Sequence, residues 1–444
     1  MGRIIEYSSE VEFLEKLKDF DICDNPYQSL AYYAVYFEFN KCARLRFFDV
    51  YDGANQLIGI VPMQCYKRIF GVELLRFVGH EHFNYEQYIC RKEDTEFVHN
   101  TFMNYIRNRK KPVIIDYYDI NNSTALYLLL EKESTKKTSI QLYGCPIVDF
   151  KEGSFDDFFK NAFKEAKKRT ELKKFQKKLE GIGNLQMFNI KDAETYKEFE
   201  KYLPDMYRVF SERFADVYAT SFFSSPSKRD FYDKLIRSLV EDKKGFISLL
   251  VLDDTLIAFI FCLANDNTLI DEIPAFDPAF SKYNIGTVQY KMLFEDIYKD
   301  KSFEYFDFSK GSTVYKKKWT KSITYNYQFI INFAPKNLIA SMMYFNYRSF
   351  YHFKTWMRNN GVNKKIKNLI GYFQNKRKNN PSHKYLVDIE EVTASNTGKV
   401  FNYSDIVNLP IHVRMEVLNQ LYSDSAIEDV LFNNNKATIK ISKQ

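Results

Sequence analysis

Three side chains between Glu272 and Trp319 have the chemistry to give or take a proton in a reaction. Asp307 closes an expected strand, residues 303–308, and a carboxylate there can take a proton from an attacking amine or hydroxyl. Glu272, on the preceding strand, is a second base of the same type. Tyr315 is a phenol, able to serve as a general acid. Each has a plain alternative: a salt bridge or loop cap for Asp307, and packing for Tyr315 in a chain with 33 tyrosines. Lys316, Lys317 and Lys318 read on their own as a solvated run, Asp277 before Pro278 as a turn-fixing residue, and Trp319 as a packed aromatic wall.

A second group precedes them. Residues 278–287 join an expected strand (268–275) to an expected helix (287–299), with Gly286 at the helix start. Glycine there permits close backbone approach, and the first amides of a helix have no intrahelical acceptor. Such amides, aided by the helix dipole, favour a pyrophosphate. The set is Asn284, Gly286 and Thr287, with Lys282 and Tyr283 placed to lie over the same phosphates. As a bare motif it competes with an ordinary helix entry, and Asn284 serves equally as a cap.

The segment Ala275-Phe-Asp-Pro-Ala-Phe-Ser-Lys-Tyr-Asn-Ile-Gly-Thr287, continued in Phe306-Asp-Phe-Ser-Lys-Gly-Ser-Thr-Val-Tyr-Lys-Lys-Lys-Trp319, resembles the GNAT superfamily of acyltransferases. Within it the segment is similar to the CelD-like acetyltransferases, which are related to the Fem-type peptidyltransferases. The shared elements are Phe-Asp-Pro, a Tyr and a Gly opening the helix, an Asp-Phe strand end, a Gly, and Tyr-Lys-x-x-aromatic. Weaker likeness runs through Asn25-Pro-Tyr-Gln-Ser29, Gly59-Ile-Val-Pro62 and Leu75-Arg-Phe-Val-Gly79, so the resemblance covers about residues 25 to 333. Departures are Asn84 where relatives often carry Asp, a single glycine in the loop, and Lys310 where an Arg is common.

The resemblance implies a direct transfer from acetyl-coenzyme A or another acyl-coenzyme A, without a metal. The thioester would lie in a splay between strands 268–275 and 303–308. Lys316 would steady negative charge at the reacting carbonyl, a role for which a cation is suited. The CelD-like relatives imply a saccharide or polysaccharide-precursor acceptor; the Fem-type relatives imply aminoacyl-tRNA as donor. A non-catalytic module that keeps the fold is the third reading, supported by Asn84 and the reduced glycine loop.

Other patterns point elsewhere only weakly. His80 and His82 beside Glu81 and Glu86 lack a third cluster for a metal. No Gly-x-Ser-x-Gly, Walker loop or paired catalytic Cys/His is present. The basic helix at 164–179 lacks the arginine–aromatic interleaving of base recognition, so nucleic acid is not the expected partner. Basic, aromatic-rich stretches at 337–359 and 362–376 suit docking on a neighbouring domain or an anionic membrane surface.

These groups need a scaffold. The chain has 444 residues, 45% hydrophobic and 27% charged, which excludes global disorder and suggests two or three domains. The net charge of +7 selects no partner. Scattered cysteines without metal spacing, no signal-like N-terminus and no long apolar run lead to the expectation of a cytoplasmic protein, at most peripheral at a membrane. Helices are expected at 11–18, 29–39, 95–108, 126–132, 155–180, 193–210, 228–241 and 287–299. Strands are expected at 45–51, 56–65, 72–79, 112–118, 185–190, 246–252, 256–265, 268–275, 303–308, 324–333, 385–392 and 437–442, with a further helix at 413–422. The two halves share an order of helices, hairpin, strand, helix, strand. The expected fold is therefore α/β (α+β): two tandem GNAT-like units with mixed, largely antiparallel sheets flanked by helices. Boundaries fall at 1–150, 151–335, 336–380 (basic helices) and 381–444 (a small α/β appendage).

Overall fold

The computed structural model describes residues 2–20, 25–42, 44–80, 82–133, 139–151, 153–214, 225–311, 313–360, 362, 386–391, 403–423, 425–433 and 436–443. The chain divides into two compact units. One comprises residues 1–147, 309–313 and 322–374; the other comprises 148–308, 314–321 and 375–444.

The first unit holds strands β1 (Arg3–Tyr7), β2 (Leu45–Tyr51), β3 (Leu57–Ile69), β4 (Val72–Phe77), the short β5 (Ile89–Cys90), β6 (Val113–Asn121), β7 (Ser139–Asp149) and, from later in the chain, β13 (Ile323–Asn332). The sheet order is β1-β2-β3-β4-β6-β13-β7, with β5 beside β3. All neighbours are antiparallel except β4 and β6. Helices α1 (Glu10–Asp19), α2 (Leu30–Phe39), α3 (Thr95–Arg107), α4 (Ala125–Glu133) and α12 (Leu338–Asn359) flank it. Ser9 and Ser29 start α1 and α2 by accepting from the Glu12 and Tyr32 amides, the geometry their hydroxyls favour. A core of Phe48, Val61, Phe77, Phe102, Ile115 and Phe329 fills one side of the sheet.

The second unit has β8 (Leu185–Ile190), β9 (Gly245–Leu252), β10 (Thr255–Ala264), β11 (Thr268–Phe276) and β12 (Tyr305–Asp307), in the order β12-β11-β10-β9-β8. Every residue of β9 and β10 is buried, as their unbroken apolar runs require. Around them lie α5 (Phe155–Ala162), α6 (Ala166–Ile182), α7 (Ala193–Glu200), α8 (Leu203–Phe214), α9 (Pro226–Glu241), α10 (Ile285–Asp300) and the single turn α11 (Lys316–Trp319). A three-stranded sheet of β14 (Leu386–Glu391), β15 (Ser425–Asn433) and β16 (Lys436–Lys443), with helix α13 (Ile411–Tyr422), completes it.

The duplicated order is present. Antiparallel β2-β3-β4, helix α3 and the parallel β6 in one unit match antiparallel β9-β10-β11, helix α10 and the parallel β12 in the other. Local expectations fail in identifiable places. The single helix at 155–180 is two, because Phe163 turns inward against Trp319 and Arg169 donates to the Phe163 and Lys164 carbonyls that end α5. The helix at 193–210 also breaks, with Pro204 inside the first turn of α8, where proline is tolerated. Strands β1, β5, β7 and β15 lie outside the expected set; Gly144 and Pro146 disguise β7. The second basic helix, at 362–376, lies almost wholly outside the described residues.

Candidate acyl-transfer site

In the second unit the parallel register pairs Thr268 with Tyr305, Leu269 with Phe306 and Ile270 with Asp307, and stops there. β11 continues to Phe276, so the two strands part immediately after Asp307. At the same point β11 carries a bulge. Cys262 faces Asp271 and Phe261 faces Ile273, leaving Glu272 as the extra residue. A bulge re-aims side chains and locally ends regular pairing.

Asp271, absent from the sequence candidates, occupies the parting point. It is buried, and one carboxylate oxygen accepts a 2.7 Å hydrogen bond from the Tyr290 hydroxyl on α10. Its other oxygen is buried without a hydrogen-bond partner. Burial pushes the Asp271 carboxyl up to about 6, opposed by Lys316 and the Tyr290 hydrogen bond and reinforced by Glu272 and Asp307. Burial and the neighbouring Asp271 likewise hold the Tyr290 phenol well above its usual range. Asp271, Glu272, Asp307 and Lys316 therefore share one electrostatic environment.

Lys316 is buried, with its ammonium donating to the Phe308 carbonyl at 2.5 Å. Asp307 is buried in the last paired position of β12. Tyr315 is more accessible, at 37% exposure, and its ring stacks 6.2 Å from that of Tyr290. Glu272 is half-buried. Trp319 is a wall: it packs on Phe158, Phe163 and Phe294. Lys317 and Lys318 are exposed.

The loop set divides. Residues Pro278–Tyr283 form a 3-10 turn, and Asn284 follows in the left-handed region (φ 50°) as the residue opening α10. Its side-chain oxygen accepts from the Thr287 hydroxyl at 2.8 Å. Asn284 is exposed and lines a cavity of about 300 Å³ with Lys164, Glu165, Lys168, Glu171 and Lys318. Glu165 pairs with Lys168, which leaves the lining mildly cationic. Lys282 is exposed. Gly286 faces the Phe276 ring, which an added Cβ would meet at 3.2 Å. Tyr283 is turned inward: its hydroxyl donates to the Leu418 carbonyl on α13 and its ring packs on Tyr422.

Asp277 does more than fix the turn. One oxygen accepts from the Ala279 amide, and the other from Arg208, Tyr403 and Arg414. Arg414 lies 137 residues away in sequence and is fully buried. No local pattern marks that contact; an acid inside the apolar stretch Leu-Ile-Asp-Glu-Ile was the available signal for Asp271.

The corresponding parting point of the first unit, Arg76 opposite Asp116, is closed by an ion pair at 2.9 Å, to which Tyr351, Tyr347 and Gln328 add hydrogen bonds. In that unit Asn84 is buried and donates to the Tyr27 hydroxyl, His80 lies 3.0 Å from Glu86, and Lys310 pairs with Asp119. Among the described residues no group of three or more His, Cys, Asp or Glu side chains is placed to hold a metal ion.

A sheet whose parallel pair parts beside a helix N-terminus, with a buried acid–lysine cluster at the opening, is the architecture of an acyl-transfer domain. Residues 166–317 match the family model described as an acetyltransferase (GNAT) domain, so this part of the chain carries an acyltransferase domain. No curated protein matches the sequence. Among solved structures the chain is similar to FemX (12% identity, 76% of this chain and all of that one, TM-score 0.47). It is similar to L-PGS from Bacillus licheniformis (13% identity, 75% and 95% covered, TM-score 0.46). A tandem GNAT protein from the clavulanic acid biosynthesis pathway is also similar (6% identity, 76% and 100% covered, TM-score 0.40). Likenesses at this level assign no substrate.

Proposed function

We propose that the chain transfers an acyl group, acetyl in the first instance, from acyl-coenzyme A to an amine or hydroxyl, as a CelD-like enzyme acting on a saccharide or polysaccharide precursor in the cytoplasm. The observation that carries this reading is the parting of β11 from β12 at Ile270 and Asp307, with Asp271 and Lys316 buried in the opening. The donor's thioester lies in that opening. Its pyrophosphate meets the start of α10 at the Gly286 amide, beside Lys318; the Asn284 and Thr287 amides already donate to the Ser281 and Asn284 carbonyls.

The acceptor's nitrogen or oxygen attacks the thioester carbonyl, and its proton passes to Asp307, with Glu272 as the alternative base. Lys316 steadies the oxyanion. The C–S bond then breaks, and the thiolate takes a proton from Tyr315, which leaves an amide or ester and free coenzyme A. Asp271 is a positioning residue: held by the Tyr290 hydroxyl, it places a carboxyl within electrostatic reach of Lys316. The inward-turned Tyr283 supports the loop from beneath and has no phosphate contact in this reading.

The test is product formation from acetyl-coenzyme A over a panel of amino sugars and sugar hydroxyls, read by mass spectrometry. Acetylated sugar with release of free thiol is expected, reduced about 100-fold in Lys316→Ala. Transfer from aminoacyl-tRNA, with none from any acyl-coenzyme A, overturns the reading in favour of a Fem-type reaction.

A further inference from the structure

The first unit contains a cavity of about 720 Å³ between α12 and the strands β3, β4 and β6. Arg76, half of the ion pair that closes this unit's parting point, lines it. A hollow of that size takes a small molecule with a ring.

The lining is charged with one sign. Lys67, Arg76, Lys310 and Lys354 face the cavity, and among the described residues no Asp or Glu does. The acids behind the wall are engaged. Asp116 accepts from Arg76, Tyr347 and Gln328, and Asp119 from Tyr143 and Asn326, with Lys310 3.5 Å away. Glu86 lies 3.0 Å from His80 and accepts from the Tyr118 amide. Lys67 and Lys354 have no carboxylate partner among the described residues; their ammonium groups each lie 5.6 Å from a ring, Tyr66 and Tyr351 in turn.

Arg76 is 3% exposed, and one edge of its guanidinium is open. Nε donates to Asp116 and Nη2 to the Tyr351 hydroxyl, both at 2.9 Å. Nη1 has no acceptor among the described residues, yet it is not sealed in the core, so it is reached from the cavity. The Tyr66 ring, 3.9 Å from the guanidinium carbon, fixes its plane. A buried arginine held in this way is set to bind an oxyanion. The two units thus differ at equivalent places. Asp271 and Glu272 in the second can move a proton, whereas the cations of the first can hold an anion.

Three cationic groups with no acid paired to Lys67 or Lys354 match a phosphate dianion better than a single carboxylate. Tyr66, Tyr118, Phe350 and Tyr351 supply walls for a ring. We infer that this cavity binds a phosphorylated saccharide, with its phosphate on the open edge of Arg76 and on Lys67 and Lys354, and its ring against the aromatic wall. The saccharide body rests on the acceptor class proposed above; the anion site rests on the cavity alone.

The test is calorimetric titration of the full chain, without acyl-coenzyme A, with a panel of hexose and amino-sugar phosphates, the matching free sugars and inorganic phosphate. One site per chain is expected for at least one sugar phosphate, with its free sugar and inorganic phosphate at least about tenfold weaker. The double variant Lys67→Glu, Lys354→Glu changes exposed positions only. It should keep the parent's melting temperature, weaken the sugar phosphate at least about tenfold and leave acetyl-coenzyme A binding unchanged. Lys318→Glu should leave the sugar phosphate unchanged. No binding of any sugar phosphate, or binding unchanged in the double variant, overturns the inference. So does a loss in Lys318→Glu alone, which moves the anion to the start of α10. Inorganic phosphate or free sugar binding as tightly as the sugar phosphate contradicts the ligand class. A chain that binds sugar phosphates yet acetylates none supports this site and sinks the proposed acceptor alone.

Discussion

The Tyr290 hydroxyl holds one oxygen of Asp271 at 2.7 Å and leaves the other, equally buried, without a hydrogen bond. The pair sits where β11 loses its parallel partner, and its charge state is set against Lys316, Glu272 and Asp307. An incompletely satisfied acid in the core costs stability that an apolar residue would not. Retaining it there ties the cost to the site's work.

That cost can be read from pH. Burial raises the Asp271 carboxyl to about 6, above its unfolded value, so the folded chain favours the protonated form. The resulting stabilisation is complete below the unfolded pKa and is lost as pH rises through about 6. Asp271→Asn stays neutral and still accepts from Tyr290. It should melt higher than the parent at about pH 7.5, by the equivalent of about 2 kcal/mol, and converge with it at about pH 4. A variant less stable than the parent at the higher pH contradicts this account.

Lys316 lowers the Asp271 pKa, so Lys316→Ala should move the acid limb of the pH–rate profile upward as well as reduce turnover by about 100-fold. A reduced rate with an unmoved profile would mean that the lysine acts on the substrate alone.

Asp277 is a structural tie. It neutralises Arg414, fully buried, and Arg208, while Tyr403 donates to the same oxygen. Asp277→Ala leaves Arg414 only Glu212, and Arg208 only Asp205 and Glu212, as paired acids, and should cost about 3 kcal/mol in denaturant unfolding. A loss below about 1 kcal/mol would show that water replaces the carboxylate readily.

His99 gives an opposite pH signature. Burial lowers its pKa to about 4, and its Nδ1 lies 3.1 Å from the Tyr88 hydroxyl. The unfolded chain gains the proton near 6.5 and the folded chain only near 4, so stability falls as pH drops through that window. His99→Gln should remove about 2 kcal/mol of that acid sensitivity, read from melts between about pH 7 and pH 4.5. Parallel melting curves would refute the assignment.

Much of this was legible before the fold was known. Apolar runs broken by no charged residue mark β9 and β10, because the signal is local. β2, at Leu45–Tyr51, falls where its alternating and aromatic residues place it. β7 is hidden because Gly144 and Pro146 imitate a linker, and the break between α5 and α6 because Phe163 packs inward where a continuous helix would turn elsewhere. Of the site, the strand end at Asp307 and the loop at Asn284 follow from local order. The bulge at Glu272 exists only in the pairing with β10, so Asp271's isolation has no local signature. Tyr283 points at α13 for the same reason: its partner, Leu418, is distant in sequence.

The central claim concerns the donor, and isothermal titration of acetyl-coenzyme A into the full chain tests it most directly. The exposed Lys318 lines the cavity at the start of α10, and its reversal in Lys318→Glu leaves the core untouched. Saturable heat with one site per chain is expected, weakened about tenfold in Lys318→Glu with no change in melting temperature. No heat with acetyl-coenzyme A or any longer acyl-coenzyme A would contradict the account.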